Sequence, residues 1–314
     1  MARPRLKLET IAEFIDFETV DKIISEEFEL KDLFDDEVSS ELEINIPENE
    51  LDGVCSGFTQ IDTTLSGFTK GKLAVVAARP GMGRTAFMIS MAHNIAVNHQ
   101  KSVCIYSIER TPSNLVSRWI ESQTGLSADK IKKGEFGDLG KEKAYQIIRK
   151  IARAKIFILH ASGVMMDSAL FKTENLFNSH GIDIVLVDYL QMLKPDEQAE
   201  SVSQYIGVVS QGLKEMADKL NIPVVAFSLA NRSMSKNNPD FTPQLVDISE
   251  PILEFADTVM FIHRPEYYMI TEDKDGNSLK GIAQIVVTRH RESDNSLTIP
   301  LRFIDKLSLF SDLN

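Results

Sequence analysis

The sequence predicts an α/β fold in which a mainly parallel sheet carries helices on both faces and ends in an antiparallel extension. From Gly57 onward, short runs rich in β-branched residues alternate with longer stretches whose apolar residues recur at helical spacing. This alternation is typical of parallel strands joined by helices. Near the C-terminus it gives way to three strand-like segments that follow one another directly. The 314 residues, 43% of them hydrophobic, can bury a core of the size that such a sheet needs.

Each element of the predicted sheet can be placed on the sequence. We expect buried strands at residues 73–78, 102–107, 155–159, 182–187 and 223–227. We expect helices at residues 85–97, 112–124, 141–154, 167–178 and 204–220. The antiparallel extension is expected at residues 258–263, 283–289 and 297–303, with a turn at the Lys-Asp-Gly-Asn sequence of residues 274–277.

Composition divides the chain into an acidic N-terminal extension, residues 1–50, and one larger domain, residues 51–314. The extension holds 16 of the 46 acidic and 5 of the 34 basic residues, so that almost all of the net charge of −12 lies there. Helical spacing of apolar residues from Leu8 to Phe28 predicts one or two short amphipathic helices, which an acidic linker follows. The extension is either a solvated tail or a segment that docks on another subunit or protein. Because the larger domain is nearly neutral, the net charge does not exclude nucleic-acid binding.

Several classes of protein are excluded by the sequence. No apolar stretch approaches the roughly 20 residues that a membrane-spanning helix needs, and the N-terminus lacks the apolar segment of a signal peptide. The two cysteines, Cys55 and Cys104, are not spaced as a disulfide framework or a metal site. We therefore expect a cytoplasmic protein with no membrane partner.

A glycine-bearing turn lies between the first predicted buried strand and the helix that follows it. A strand, such a turn and a helix that opens on a threonine form the arrangement of a phosphate-binding P-loop, in which backbone N–H groups surround phosphate oxygens. From this segment alone, a glycine turn that holds no ligand remains the alternative. The expected nucleotide-binding residues are Arg79, Pro80, Gly81, Met82, Gly83, Arg84 and Thr85.

Two carboxylates follow later strands of the predicted sheet. Asp188 ends the strand at 182–187, where its carboxylate and the Thr85 hydroxyl could hold Mg²⁺. Glu109 follows the strand at 102–107 and is a candidate general base for an attacking water. A lone Asp at a strand end is often a turn residue, and Glu109 can also be interpreted as a carboxylate that flanks the next helix. Tyr267 and Tyr268 are interpreted as an exposed hairpin pair rather than as a platform for a base.

Together these motifs resemble the RecA-fold motor domain of the DnaB-type replicative DNA helicases, from Ser56 to near the C-terminus. Residues 78–85 resemble the family's A-R-P-x-M-G-K-T loop, residues 107–109 resemble the S-L-E motif that carries the catalytic glutamate, and residues 187–191 resemble the Walker B segment with its D-Y-L-Q sequence. Arg289 and Arg291 fall where the family places basic finger residues that reach a neighbour's nucleotide. The resemblance implies a RecA-like P-loop NTPase core with Glu109, Arg289 and Arg291 as catalytic residues.

The resemblance also implies cofactors and partners. These are ATP and Mg²⁺, single-stranded DNA, and further copies of the chain in a homo-oligomeric ring, a hexamer. A replicative helicase or its loader is a further expected partner, through residues 1–34.

Three positions depart from the family pattern. Arg84 stands where the family has Lys, and a planar guanidinium is not interchangeable with a compact ammonium. Leu229 stands where the family has a Gln that senses the terminal phosphate. In the loop at residues 245–250, Asp247 and Glu250 are expected to point negative charge at DNA phosphates.

Two functions are therefore weighed. The first is an ATP-dependent DNA helicase that acts on single-stranded DNA in replication, with weakened catalysis. The second is a nucleotide-binding but catalytically impaired paralogue that serves as an assembly or regulatory partner of a replicative helicase. The three departures favour the second function, whereas retention of Glu109, Asp188, Arg289 and Arg291 favours the first.

Overall fold

A ten-stranded sheet runs through the part of the chain that the computed structural model describes, residues 8–10, 52–160, 163–196, 199–230, 242–290 and 296–313. Two further short strands pair separately. The strands are β1 Leu8–Thr10, β2 Gly53–Val54, β3 Phe68–Thr69, β4 Leu73–Ala78, β5 Val103–Ser107, β6 Ile156–His160, β7 Ile184–Asp188, β8 Val224–Leu229, β9 Thr258–His263, β10 Ile282–His290, β11 Leu297–Ile304 and β12 Leu309–Ser311.

The order of the strands confirms the predicted fold class. The large sheet runs β1-β6-β5-β7-β8-β4-β9-β10-β11-β12. The six strands from β6 to β9 in this order are parallel, and β10, β11 and β12 extend the sheet with antiparallel pairs. All eight strands expected from the sequence are present, and their bounds differ from the predicted ones by at most two residues.

Helices cover both faces of the parallel part, as the alternating pattern predicted. Successive side chains of a strand point to opposite faces, so Val76 of β4 lies in one buried cluster and Val75 in the other. The first cluster packs under α2, α3 and α5, and the second under α6 and α7. The helices are α1 Thr59–Leu65, α2 Arg84–His93, α3 Pro112–Thr124, α4 Ala128–Lys132, α5 Lys141–Arg153, α6 Met166–His180, α7 Val202–Leu220 and α8 Glu250–Leu253.

The longest of these helices shows how local sequence sets the element. Helix α7 begins after Ser201, whose hydroxyl accepts a hydrogen bond from the backbone N–H of Gln204 at 3.1 Å. It ends at Asn221, which adopts the left-handed conformation with φ of 50°. One face of the helix is buried against the sheet, and its apolar residues recur every three or four positions. They are Ile206, Val209, Leu213, Met216, Ala217 and Leu220.

The N-terminal extension differs from the prediction where the structure describes it. Leu8–Thr10 form the antiparallel edge strand β1 beside β6 instead of starting a helix. An edge strand presents unpaired backbone groups to any extended segment, and this pairing outweighs the helical spacing of a short apolar stripe. The other residues of the expected helices and the linker lie outside the described residues. None of the described helices is long and apolar enough to cross a membrane.

A partly buried histidine makes the stability of this fold depend on pH. The indole Nε1 of Trp119 donates a hydrogen bond to Nδ1 of His93 at 3.2 Å, which requires an unprotonated imidazole nitrogen. Burial, with a smaller effect of the Lys150 charge, lowers the pKa of His93 from 6.5 to about 4. Below pH 6.5 His93 becomes protonated in the unfolded chain but stays neutral in the folded chain until the pH approaches 4. The free energy of unfolding therefore falls as the pH drops toward 4.

We expect His93 to contribute about 2 kcal/mol to this fall between pH 7 and pH 5, so the change in the free energy of unfolding over this interval should differ by that amount between the wild type and His93→Gln, whose amide oxygen can still accept the indole N–H. Urea unfolding of both proteins at the two pH values measures it. Burial raises the pKa of Asp62 to about 6, which acts in the opposite direction in both proteins. The comparison therefore isolates His93, and equal slopes in the two proteins would contradict the expectation.

Candidate functional site

The turn between β4 and α2 has the backbone of a loop that can wrap around an anion. Gly81 and Gly83 have φ values of 86° and 92°, which side chains other than glycine rarely adopt. A Cβ atom at Gly83 would lie 3.1 Å from the ring of Phe310, and one at Gly81 would lie 2.9 Å from the hydroxyl of Tyr267. Both positions therefore require glycine, and the predicted loop at residues 79–83 is placed directly before the N-terminus of α2.

The parallel strands bring the predicted site residues to one edge of the sheet. Ala78 at the end of β4 pairs with Leu229 of β8, and Ser107 at the end of β5 pairs with Asp188 of β7. The carboxyl ends of β4, β8, β7 and β5 are thus consecutive along this edge. Glu109 follows β5 by two residues and lies at the same edge.

Thr85 and Asp188, the two predicted metal ligands, are in direct contact. The Thr85 hydroxyl donates a hydrogen bond to Oδ2 of Asp188 at 2.8 Å, and both residues are buried. A hydroxyl and a carboxylate are hard oxygen ligands of the kind that Mg²⁺ prefers. The donor set therefore fits Mg²⁺ together with a nucleotide's own phosphate oxygens, although no cluster of three or more His, Cys, Asp or Glu side chains suited to a metal occurs in the described ranges.

Arg84, the residue that departs from the P-loop pattern, binds both carboxylates. Its Nε donates to Oδ1 of Asp188 at 2.8 Å, and its Nη2 donates to Oε2 of Glu109 at 3.1 Å. The guanidinium also lies 4.1 Å from the centre of the Tyr189 ring, a cation–π arrangement. The Arg84 and Asp188 side chains are 11% and 5% exposed, whereas that of Glu109 is 46% exposed. One buried cation therefore holds two of the predicted site residues.

Two more arginines, which the sequence analysis did not single out, add positive charge beside these carboxylates. Burial and the charge of Arg110 lower the pKa of Arg118 on α3, whereas Glu121, Asp188 and Glu109 raise it. These opposing effects place Arg118 within electrostatic reach of both site carboxylates. Arg110 follows Glu109 directly, and among the described residues its buried Nε has no hydrogen-bond partner. Proximity to Glu109 in the sequence was the available signal for Arg110.

The segment at residues 245–250 corrects one prediction. Asp247 does not point toward solvent or DNA, because it is 3% exposed and its Oδ2 lies 3.4 Å from Nη2 of Arg79. The same oxygen accepts the backbone N–H of Gln244 at 2.9 Å. A cation from the glycine loop thus holds this carboxylate inside the protein. Glu250, the first residue of α8, is exposed as expected.

Leu229, at the predicted sensor position, is linked to the D-Y-L-Q segment. Its backbone N–H donates to Oε1 of Gln191 at 3.3 Å, and Nε2 of Gln191 donates to the hydroxyl of Ser228 at 2.7 Å. The amide of Gln191 therefore fixes the end of β8 beside the site. The Leu229 side chain itself offers no hydrogen bond to a phosphate.

Aromatic and basic residues after β9 lie against the glycine loop. Tyr267 and Tyr268 belong to a 3₁₀ turn at Pro265–Tyr268 rather than to a hairpin, although Tyr267 is exposed as expected. Nη1 of Arg264 donates to the carbonyl oxygen of Gly81 at 3.3 Å. These residues are more than 180 positions from the loop in sequence, and no local pattern could have placed them there.

Arg289, one of the two predicted finger arginines, does not lie at this edge. Arg289 of β10 pairs with Val259 near the start of β9, at the opposite edge of the sheet from the glycine loop. Its Nη1 donates to the carbonyl oxygen of Leu253 at 2.6 Å. Arg289 is thus remote from its own chain's loop, and its role across an interface stays a prediction. Arg291 lies outside the described residues.

Comparison with known proteins assigns this arrangement to a family. The model of the DnaB-like helicase C terminal domain family matches residues 53–312. The replicative DNA helicase DnaB of Geobacillus stearothermophilus is 30% identical over 269 residues, which are 85% of this chain and 58% of that protein. A probable plasmid replicative DNA helicase of Chlamydia psittaci is 31% identical over 255 residues, 81% of this chain and 54% of that protein. The chain spans a little over half the length of these curated relatives.

Solved structures agree with the sequence comparison. One of them, described as an ATPase domain, superposes with a TM-score of 0.74 at 27% identity, covering 95% of this chain and 98% of that one. A DnaB-like replicative helicase, described with its interactions with primase, superposes with a TM-score of 0.73 at 28% identity. That match covers 97% of this chain and 74% of the other.

Proposed function

This chain is a member of the DnaB-like helicase C-terminal domain family, and we propose that it is an ATP-dependent DNA helicase subunit with weakened catalysis. It would act on single-stranded DNA in replication, in the cytoplasm. This proposal rests on the meeting of three motifs at one edge of the sheet. The Thr85 hydroxyl lies 2.8 Å from Oδ2 of Asp188, and Arg84 donates hydrogen bonds to both Asp188 and Glu109. A family fold without this junction would support no statement about chemistry.

The proposed roles follow from the positions of the side chains. Residues 79–85 bind the phosphates of ATP through the loop's backbone N–H groups and the N-terminus of α2. Thr85 and Asp188 would hold Mg²⁺, which supplies charge neutralisation at the terminal phosphates when it is bound. Glu109, which is half exposed, can reach an attacking water and accept its proton once Arg84 releases it.

The proposal extends to a ring of identical subunits, a hexamer. Arg289 lies at the sheet edge opposite its own glycine loop, so it can contact a nucleotide only if that nucleotide is held by a neighbouring subunit. We propose the same for Arg291. Single-stranded DNA is the polymer on which such a ring acts, and residues 1–34 are proposed to bind a replicative helicase or its loader.

A second function is favoured by the contacts of Arg84 and the identity of Leu229. In this function the chain binds nucleotide but hydrolyses it too slowly to drive unwinding, and it serves as an assembly or regulatory partner of a replicative helicase. Oε2 of Glu109 accepts a hydrogen bond from Arg84, and residue 229 lacks a polar side chain that could sense the terminal phosphate. Both observations concern turnover and leave nucleotide binding intact.

The rate of ATP hydrolysis with and without single-stranded DNA distinguishes the two functions. For a helicase we expect DNA to stimulate hydrolysis, and Glu109→Gln to reduce the stimulated rate by about a hundredfold or more, because the general base is lost. Glu135→Gln, which changes an exposed carboxylate after α4, serves as the matched control and should leave the rate unchanged. The absence of hydrolysis in the wild type, together with mixed rings formed with a full-length helicase, would remove the helicase function and favour the partner.

A further inference from the structure

Both oxygens of the Asp188 carboxylate in the proposed nucleotide site already accept a hydrogen bond from this chain's own donors. Oδ1 accepts a hydrogen bond from Nε of Arg84 and Oδ2 accepts one from the Thr85 hydroxyl, each at 2.8 Å. A divalent cation that binds Asp188 must share these oxygens. The positive charges of the cation and the guanidinium also repel each other in a site that is largely shielded from water.

Arg84 is held by more than one contact, so it is not displaced easily. It spans from Asp188 to Glu109 and lies over the ring of Tyr189. Its side chain is only 11% exposed, and removing the counter-charge from a buried ion is costly. Arg84 and a divalent cation therefore compete for the same carboxylate.

The two carboxylates use only some of the N–H donors of Arg84. A guanidinium has five N–H donors in a planar fork, and the structure uses the Nε–H and one N–H of Nη2 for carboxylates. The planar arrangement allows one guanidinium to contact carboxylate and phosphate oxygens in different directions at once. A lysine ammonium has its three donors on a single nitrogen, so it acts as a compact point charge and not as a planar fork.

The charge around the site points in the same direction. Arg118 lies within electrostatic reach of both carboxylates that Arg84 binds, of Arg110 and of the exposed Glu121, and Arg110 follows Glu109 directly in the chain. The protein itself therefore supplies the positive charge that phosphate oxygens require, in addition to the backbone N–H groups of the loop at residues 79–83.

We infer that Arg84 supplies the positive charge that nucleotide binding requires, so that this chain binds the phosphates of a nucleoside di- or triphosphate without Mg²⁺, which the proposed hydrolysis still needs. The inference rests on the nucleotide site of the proposed function and states how that site differs from one that has a lysine. Nucleotide binding then does not depend on the metal, and a metal ion has to compete with Arg84 for the Asp188 carboxylate.

The test is the dissociation constant of a fluorescent ADP analogue for the full chain, measured in excess Mg²⁺ and again in EDTA. For the wild type we expect the two constants to agree within about threefold. For Arg84→Lys we expect EDTA to weaken binding by about tenfold or more, because the ammonium frees Asp188 for the metal. Arg302→Lys, which changes an exposed arginine on β11, is the matched control and should behave as the wild type does.

Each result bears on the inference in a defined way. Wild-type binding that weakens about tenfold or more in EDTA overturns it and leaves the proposed function standing. If neither protein binds the analogue under either condition, the inference and the proposed function fail together. A folded Arg84→Lys that is as insensitive to EDTA as the wild type also overturns the inference, because Arg84 is then not the source of the metal independence. If Arg84→Lys does not fold, which its thermal unfolding curve would show, weakening of the wild type in EDTA still overturns the inference.

Discussion

Replacing Arg84 with lysine should raise the rate of ATP hydrolysis by about a hundredfold, the effect typical of one well-placed electrostatic group in an active site. In the wild type the guanidinium holds Oε2 of Glu109 at 3.1 Å, so the carboxylate is oriented toward the cation and must leave this contact to be placed on an attacking water. A lysine releases Glu109 and places a compact charge where the terminal phosphate needs it. Release of inorganic phosphate at saturating ATP, Mg²⁺ and single-stranded DNA measures the change in kcat.

The double variant Arg84→Lys/Glu109→Gln is the control for this prediction. It should remain at the background rate, because the released carboxylate is then absent. If Arg84→Lys does not change kcat but Leu229→Gln raises it, the limitation lies at the end of β8 and the expectation for Arg84 is wrong. A rise in both single variants, larger still when they are combined, would indicate that the two positions limit the same step.

Much of the fold could be predicted because its determinants are local. The strand at residues 73–78 is an unbroken apolar run, and a strand buried on both faces requires this. The end of α7 is marked by Asn221 and its buried face by apolar residues three and four positions apart. The glycine loop could also be predicted, because the left-handed backbone at Gly81 and Gly83 requires glycine and both glycines are visible in the sequence.

The contacts within the site were less accessible because they join distant segments. Arg84 meets Glu109 and Asp188, which are 25 and 104 residues away along the chain. The motifs indicated that the three residues share a sheet edge, but not that the guanidinium would lie between the two carboxylates. Its position depends on the register of β5 with β7, which no single segment specifies. The same applies to Asp247, whose partner Arg79 is 168 residues away.

Asp247 provides the second prediction with a large expected effect. Asp247→Ala should lower the free energy of unfolding by about 3 kcal/mol, because it removes the carboxylate from a buried ion pair with Arg79. The Arg79 and Asp247 side chains are 10% and 4% exposed, so water cannot replace the lost partner. Asp247→Asn keeps a side-chain oxygen for the backbone N–H of Gln244, so it should destabilise the protein less than alanine does. Urea unfolding of the three proteins at pH 7 gives the values.

A matched control and a double-mutant cycle test whether the ion pair is the cause. Glu250→Ala, an exposed carboxylate of the neighbouring helix, should change the free energy of unfolding by less than about 0.5 kcal/mol. Arg79→Leu combined with Asp247→Leu should be more stable than the sum of the single effects predicts, with a coupling of about 1 to 3 kcal/mol. Strict additivity would contradict the pairing.

A measured coupling would instead establish that the glycine loop and the segment at residues 244–250 are held together through this contact, since Arg79 is the first residue of the loop and Asp247 accepts the N–H of Gln244. A change in the position of either segment would then have to move or break the same ion pair.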